Sequence, residues 1–168
     1  PRPWLRPTTA CLTRPGEPLV DSWLAHTDSV TSLVATGRAG RVATGSVDGS
    51  IAFWDTDRAF LERRMVERGR EIRSLAMIPQ RMEIVAGMSD GTILVWGLEP
   101  AVPPRVLGGH AGAVTSIAVN SDGGRLLSLS EDRTIRIWDL ARGTSRAYTG
   151  PHGDALTVMA VAPDFTRA

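Results

Sequence analysis

Histidine, a hydroxyl residue and aspartate recur together along this 168-residue chain. His26 is followed by Thr44 and Asp48, and His110 by Ser128, Ser130 and Asp132. In a hydrolase such a trio is a nucleophile, its general base and the carboxylate that orients the base. A catalytic centre, however, is a single constellation in a pocket. Here the set occurs twice, decays in the stretch between, and always travels with a tryptophan. The expectation is therefore no catalytic residue and no enzymatic activity. His26, His110 and His152 lie in three different stretches without the close spacing of a ligand set, so no metal site is expected. Gly37-Arg38-Ala39-Gly40 and Ser121-Asp122-Gly123-Gly124 lack the following Lys-Ser/Thr of a phosphate loop and read as turns. No cofactor is implied.

The elements that must position these residues repeat with one period. Trp54, Trp96 and Trp138 are each 42 residues apart, as are Asp48, Asp90 and Asp132, and Ile51, Ile93 and Ile135. Gly45 and Gly87 keep the same step. A fixed step of this size marks a repeat architecture.

Within each period the residues favour short strands. Val30 to Ala35 and Val114 to Val119 are β-branched and small, and a turn cluster separates each from a second run such as Val42 to Ser46. Asp48-Gly49 and Asp90-Gly91 then predict tight hairpins with positive φ at both central residues. Asp132-Arg133 offers the same turn without its glycine. A fourth, polar run precedes each next histidine position, as in Pro104 to Leu107 and Ser145 to Tyr148. Residues 60–68 have helix-forming composition, but the register assigns them to the outer strand of a repeat.

Composition bounds the rest. With 19 basic against 18 acidic residues and 42% apolar residues, the chain is an ordinary globular one rather than a polybasic nucleic-acid binder. Every basic residue is arginine, which reads as a compositional bias. The lone Cys11 excludes an internal disulfide and is compatible with a cytoplasmic location. No apolar run reaches the ~18 residues of a membrane span. Residues 1–18 hold five of the eleven prolines and read as an extended lead-in.

Gly109-His110 followed by Trp138-Asp139, and His26 followed by Trp54-Asp55 at the same interval of 28 residues, resemble WD40 repeats. The resemblance covers residues 19–168. It implies an all-β segment of a β-propeller with blades at about 26–67, 68–109 and 110–151 and a partial repeat over 152–168. Three complete four-stranded blades would be flanked by an orphan outer strand near Leu19–Leu24 and an orphan inner strand near Ala155–Val161. The chain is then expected to be an open arc of a larger propeller. The lead-in is similar to those before WD40 arrays in bacterial multidomain proteins.

The resemblance also implies a structural tetrad of His, Ser/Thr, Asp and Trp in each blade. His26, Thr44, Asp48 and Trp54 match in the first repeat, and His110, Ser128, Asp132 and Trp138 in the third. Ser46 and Ser130 stand as alternatives for the hydroxyl. The second repeat keeps only Asp90 and Trp96: Arg68 stands at the histidine position, Ala86 at the hydroxyl and Gly97 after the tryptophan. That blade is expected to rely on packing. The fourth repeat supplies His152.

Function is then expected at the surface. The rim beside the tetrad would offer Asp28, Val47, Arg70, Ser89, Gly112, Glu131 and Asp154 to a protein partner or to a fused domain of the same polypeptide. Arg70 is the leading candidate, because arginine is enriched at interface hot spots. The expected role is a non-catalytic interaction scaffold in a larger signalling or sensor protein. Open blade edges would also permit self-association. The alternative is a nucleic-acid-associated scaffold binding through Arg63, Arg64, Arg68 and Arg70.

Overall fold

Alternation of β-branched and small residues gives twelve strands in this computed structural model, which describes residues 24–98, 103–149 and 159. They are β1 (Val30–Ala35), β2 (Arg41–Ser46), β3 (Ser50–Asp55), β4 (Phe60–Val66), β5 (Ile72–Ile78), β6 (Glu83–Met88), β7 (Ile93–Gly97), β8 (Arg105–Leu107), β9 (Val114–Val119), β10 (Arg125–Ser130), β11 (Thr134–Asp139) and β12 (Thr144–Thr149). They form three antiparallel sheets in sequence order, β1–β4, β5–β8 and β9–β12, called blades 1 to 3. A single 3-10 turn at Pro79–Arg81 is the only helical element among the described residues. The lead-in, the two expected orphan strands apart from Leu24 and Met159, and the candidates His152 and Asp154 lie outside the described residues.

Residues 60–66 are extended, although their propensities favour helix. Pairing with β3 overrides propensity, since Ile51 opposes Met65 and Phe53 opposes Arg63, so that Met65 reaches the core while Arg64 and Val66 remain exposed.

The hairpin turns depart from the sequence expectation. Gly49 and Gly91 have φ of 78° and 84°, but the aspartates before them are not in the left-handed region. The Gly49 N–H donates to the Ser46 carbonyl at 3.1 Å. Each connection is thus a three-residue loop ending in a left-handed residue, not a two-residue turn with two positive φ values. In blade 3 Arg133 takes that conformation, with φ of 66°.

Two apolar layers hold the blades face to face. Ala43, Ile51 and Phe53 of blade 1 pack on Ile72, Leu75, Leu94 and Trp96 of blade 2. Val85, Ile93 and Val95 on the other face of blade 2 pack on Val114, Leu126 and Trp138 of blade 3. Blade 2 is flanked on both sides, so its inner strand β5 is almost wholly buried, whereas β1 is half-exposed. Burying such side chains contributes about 1.5–3 kcal/mol each, the main force joining the blades.

Glycine permits the close approach. A Cβ on Gly45 would stand 2.7 Å from Ile72 Cγ2, and one on Gly87 would stand 2.6 Å from Val114 Cγ1. Polar bonds join the same seams. Thr31 Oγ1 donates to the Ile72 carbonyl at 2.7 Å and Ser74 Oγ to the Val114 carbonyl at 2.9 Å. On the outer strands, Arg63 donates to the Leu98 carbonyl at 2.7 Å and Arg105, one period later, to the Leu140 carbonyl at 2.8 Å.

Candidate functional site

In blade 3, β10 carries Ser128 and β11 carries Trp138, and pairing of Ser128 with Arg136 sets the tryptophan two residues further along. The Trp138 indole N–H donates to Ser128 Oγ at 2.8 Å, and Ser128 Oγ lies 2.7 Å from His110 Nε2. His110 Nδ1 lies 2.9 Å from Asp132 Oδ2. An ionised carboxylate only accepts, so Nδ1 carries the proton and Nε2 accepts from the Ser128 hydroxyl. The donor chain runs Trp138 to Ser128 to His110 to Asp132. Ser128 is 0% exposed, so the hydroxyl is closed to solvent.

Blade 1 repeats this with one difference. Trp54 Nε1 donates to Thr44 Oγ1 at 2.8 Å, and His26 Nε2 lies 2.7 Å from the same oxygen. His26 Nδ1 is 3.7 Å from Asp48 but 2.8 Å from Ser50 Oγ, whose hydroxyl in turn donates to Asp48. The serine relays the contact. Asp48 also accepts from the Thr27 N–H at 2.7 Å and from Arg64 at 3.0 Å.

Ser50 and Thr134 are members of these networks that the sequence reading did not single out. Thr134 Oγ1 is 3.0 Å from His110 Nδ1 and donates to Asp132. Their signal was present: Ser50, Thr92 and Thr134 keep the period of 42, each two residues after its aspartate. Ser46 and Ser130, the alternative hydroxyls, are engaged elsewhere. Ser46 Oγ donates to the Asp28 carbonyl at 3.2 Å and Ser130 Oγ to the Gly112 carbonyl at 2.9 Å.

Electrostatics follow from burial and partners. Burial pushes the Asp48 and Asp132 carboxyls upward, but hydrogen bonds from Ser50 and Thr27, and from Thr134, Ala111 and His110, outweigh it and hold both far below the carboxylate range. Burial, together with the charge of Arg64 near His26 and of Arg136 near His110, lowers both histidine pKa values despite the opposing pull of Asp48 and Asp132. Both imidazoles are thereby kept neutral. Among the described residues, no group of three or more His, Cys, Asp or Glu is placed to hold a metal ion.

Blade 2 lacks the histidine and hydroxyl but does not rely on packing alone. Arg70 Nε lies 3.1 Å from Asp90 Oδ2, supplying a partner for the carboxylate from two residues beyond the histidine position. Thr92 donates to the other carboxylate oxygen through its N–H at 2.9 Å. With Ala86 at the hydroxyl position, no hydrogen bond reaches the Trp96 indole among the described residues.

The rim candidates meet in pairs. The Val47, Ser89 and Glu131 N–H groups donate to the carbonyls of Ser29, Glu71 and Ala113, which ties each hairpin loop to the segment entering its inner strand. Asp28 and Val47, Arg70 and Ser89, and Gly112 and Glu131 therefore lie along one rim of successive blades. Asp28 and Glu131 are exposed, while Val47, Ser89 and Gly112 are half-buried. Arg70 is already paired with Asp90. Arg63 and Arg64 are likewise engaged, with the Leu98 carbonyl and Asp48.

Four-stranded sheets packed face to face, each with its inner strand beside the next, define a segment of a β-propeller. The family model described as "WD domain, G-beta repeat" matches residues 17–55 and 101–139, and the chain carries WD40 repeats. The stretch between the two matches contains the strands of blade 2 up to Leu98, where the histidine and hydroxyl are lost. Among solved structures, "Structure of U3-55K" and "Crystal structure of RRP9 WD40 repeats" are each similar at 22% identity and a TM-score of 0.72. Each alignment covers 79% of this chain and 42% of the other, so the chain spans about two fifths of those structures. No curated protein matches the sequence.

Proposed function

We propose that this chain is a non-catalytic interaction platform whose rim loops bind a protein partner or a fused domain of the same polypeptide. The observation that carries this reading is the state of Ser128. Its oxygen accepts from Trp138, its proton faces His110, and it has no exposed surface. A nucleophile needs access to a substrate carbonyl and an oxyanion hole; this hydroxyl is spent on holding β10, β11 and the His110 segment together. We read His26, Thr44, Asp48 and Trp54, His110, Ser128, Asp132 and Trp138, and the reduced pair Asp90 and Trp96, as structural. The rim residues Asp28, Val47, Ser89, Gly112 and Glu131 remain as the contact surface, with Arg70 contributing only if it exchanges Asp90 for a partner's carboxylate. A role in signalling and a cytoplasmic location belong to the same reading.

The test is affinity capture with the chain as bait, compared with a variant carrying Asp28→Arg, Ser89→Arg and Glu131→Arg. The reading expects captured proteins to be lost from the variant while its melting temperature is kept. Identical capture by both would overturn it. The nucleic-acid alternative is weakened because Arg63, Arg64 and Arg70 are internally engaged. Filter binding to RNA at low salt that is lost in Arg68→Ala would restore it.

A further inference from the structure

A cleft opens at the seam between blades 1 and 2. Gly49, Ile51, Met65, Val66, Glu67 and Trp96 line it, around a volume of about 50 Å³. At ~10–15 Å³ for one water-sized occupant, it has room for a group of three or four heavy atoms. We propose that this cleft receives the guanidinium or ammonium head of a basic side chain carried by a protein partner. The proposal rests on the interaction-platform reading and gives it a specific contact.

The seam between blades 2 and 3 shows what fills the same position when it is occupied. One period on, the lining residues become Gly91, Ile93, Leu107, Gly108, Gly109 and Trp138. There Arg136 lies with its guanidinium carbon 6.0 Å from the Trp138 ring centroid, and its Nη1 would be 2.8 Å from a Cβ on Gly109. A cation over a tryptophan face beside apolar walls is a favourable arrangement. At the first seam Leu94 stands in place of Arg136, and Glu67 stands in place of Gly109. In the register an internal cation has gone, and a carboxylate-bearing residue, Glu67, lines the cleft. Glu67 forms no ion pair among the described residues, because Arg64 is held by Asp48 and Arg70 by Asp90. Apolar walls suit an aliphatic stem, and the carboxylate with the tryptophan suits a cationic head.

The test is nuclear magnetic resonance of the whole chain, following the Trp96 indole N–H, identified by its disappearance in Trp96→Phe. The probe is N-acetyl-arginine amide, with the neutral isostere N-acetyl-citrulline amide as control. A saturable shift of the Trp96 signal with the arginine probe alone, lost in Glu67→Gln, is expected. No shift, an equal shift with citrulline, or an unchanged shift in Glu67→Gln overturns the proposal. Arg68 of the chain itself is the competing occupant. If Arg68→Ala moves the Trp96 signal and the probe binds only in that variant, the cleft is self-filled and the proposal fails. The titration needs no natural partner, so its failure is separate from a failure of the rim variant to lose captured proteins.

Discussion

Trp138 donates its indole N–H to Ser128 Oγ at 2.8 Å, from a ring that is 1% exposed to a hydroxyl that is 0% exposed. A single oxygen thus joins the largest apolar side chain of the second core layer to the His110–Asp132 pair.

Trp138→Ala removes the ring from that layer. Deleting a buried aromatic costs ~3–5 kcal/mol, mostly through the cavity left behind. At ~2–4 °C per kcal/mol for a chain of this size, thermal melts should separate by many degrees; coincident melts would contradict the packing role.

Ser128→Ala leaves two buried groups, the Trp138 N–H and His110 Nε2, without their shared partner. The expected loss is about 1–3 kcal/mol. Ser130→Ala, which removes a bond to the Gly112 carbonyl and one from the Asp132 N–H within the hairpin loop but none of the Trp138–Ser128–His110 chain, should cost less. Urea denaturation of the two variants side by side would expose a reversed order.

Stability should fall with acid in two stages. His26 and His110 have folded pKa values below the ordinary 6.5, so the unfolded chain takes up protons first. Their contribution is complete above pH 6.5 and declines as pH drops below it. Asp48 and Asp132 are depressed below 3.8, and their contribution is lost as pH falls through and beneath that value. Melting temperature against pH should be flat above pH 7 and fall below 6.5; a rise between pH 7 and 5 would contradict depressed histidine pKa values in the folded chain.

Arg70→Ala and Asp132→Ala should differ. The Arg70–Asp90 pair is more than a third exposed on both sides, so its loss costs at most ~1 kcal/mol. Asp132→Ala takes the carboxylate partner from the wholly buried His110 side chain and should cost about 1–3 kcal/mol. Equal effects in chemical denaturation would show that Asp132 is no more than a surface charge.

Gly87→Ala inserts a Cβ into Ser74 Oγ of its own blade and into Val114 across the second seam. Overpacking of this kind costs ~1–3 kcal/mol. At Gly108 a Cβ meets nothing within 4 Å, so Gly108→Ala should be tolerated. Calorimetry of both variants is the check.

The period of 42 made the blades legible, because strand pairing and core contacts recur at the same offset. It even overruled helix propensity at residues 60–66, where pairing with β3 decides. What stayed hidden depended on through-space geometry. The loop type at Asp48-Gly49 turns on which residue opens the turn, and composition does not report this. Ser50 and Thr134 were visible only as a column of hydroxyls until their distances to His26 and His110 gave them a role. The substitution of Arg70 for a histidine escaped the register because its side chain reaches Asp90 from two positions away.

The proposed role of the repeated hydroxyl, histidine and aspartate is to hold the blades, without acyl transfer. Treatment of the folded chain with a fluorophosphonate probe, read by intact mass, tests it most directly. The account predicts no adduct on Ser128 or Ser130. Stoichiometric labelling of either serine, abolished in His110→Ala, would contradict it.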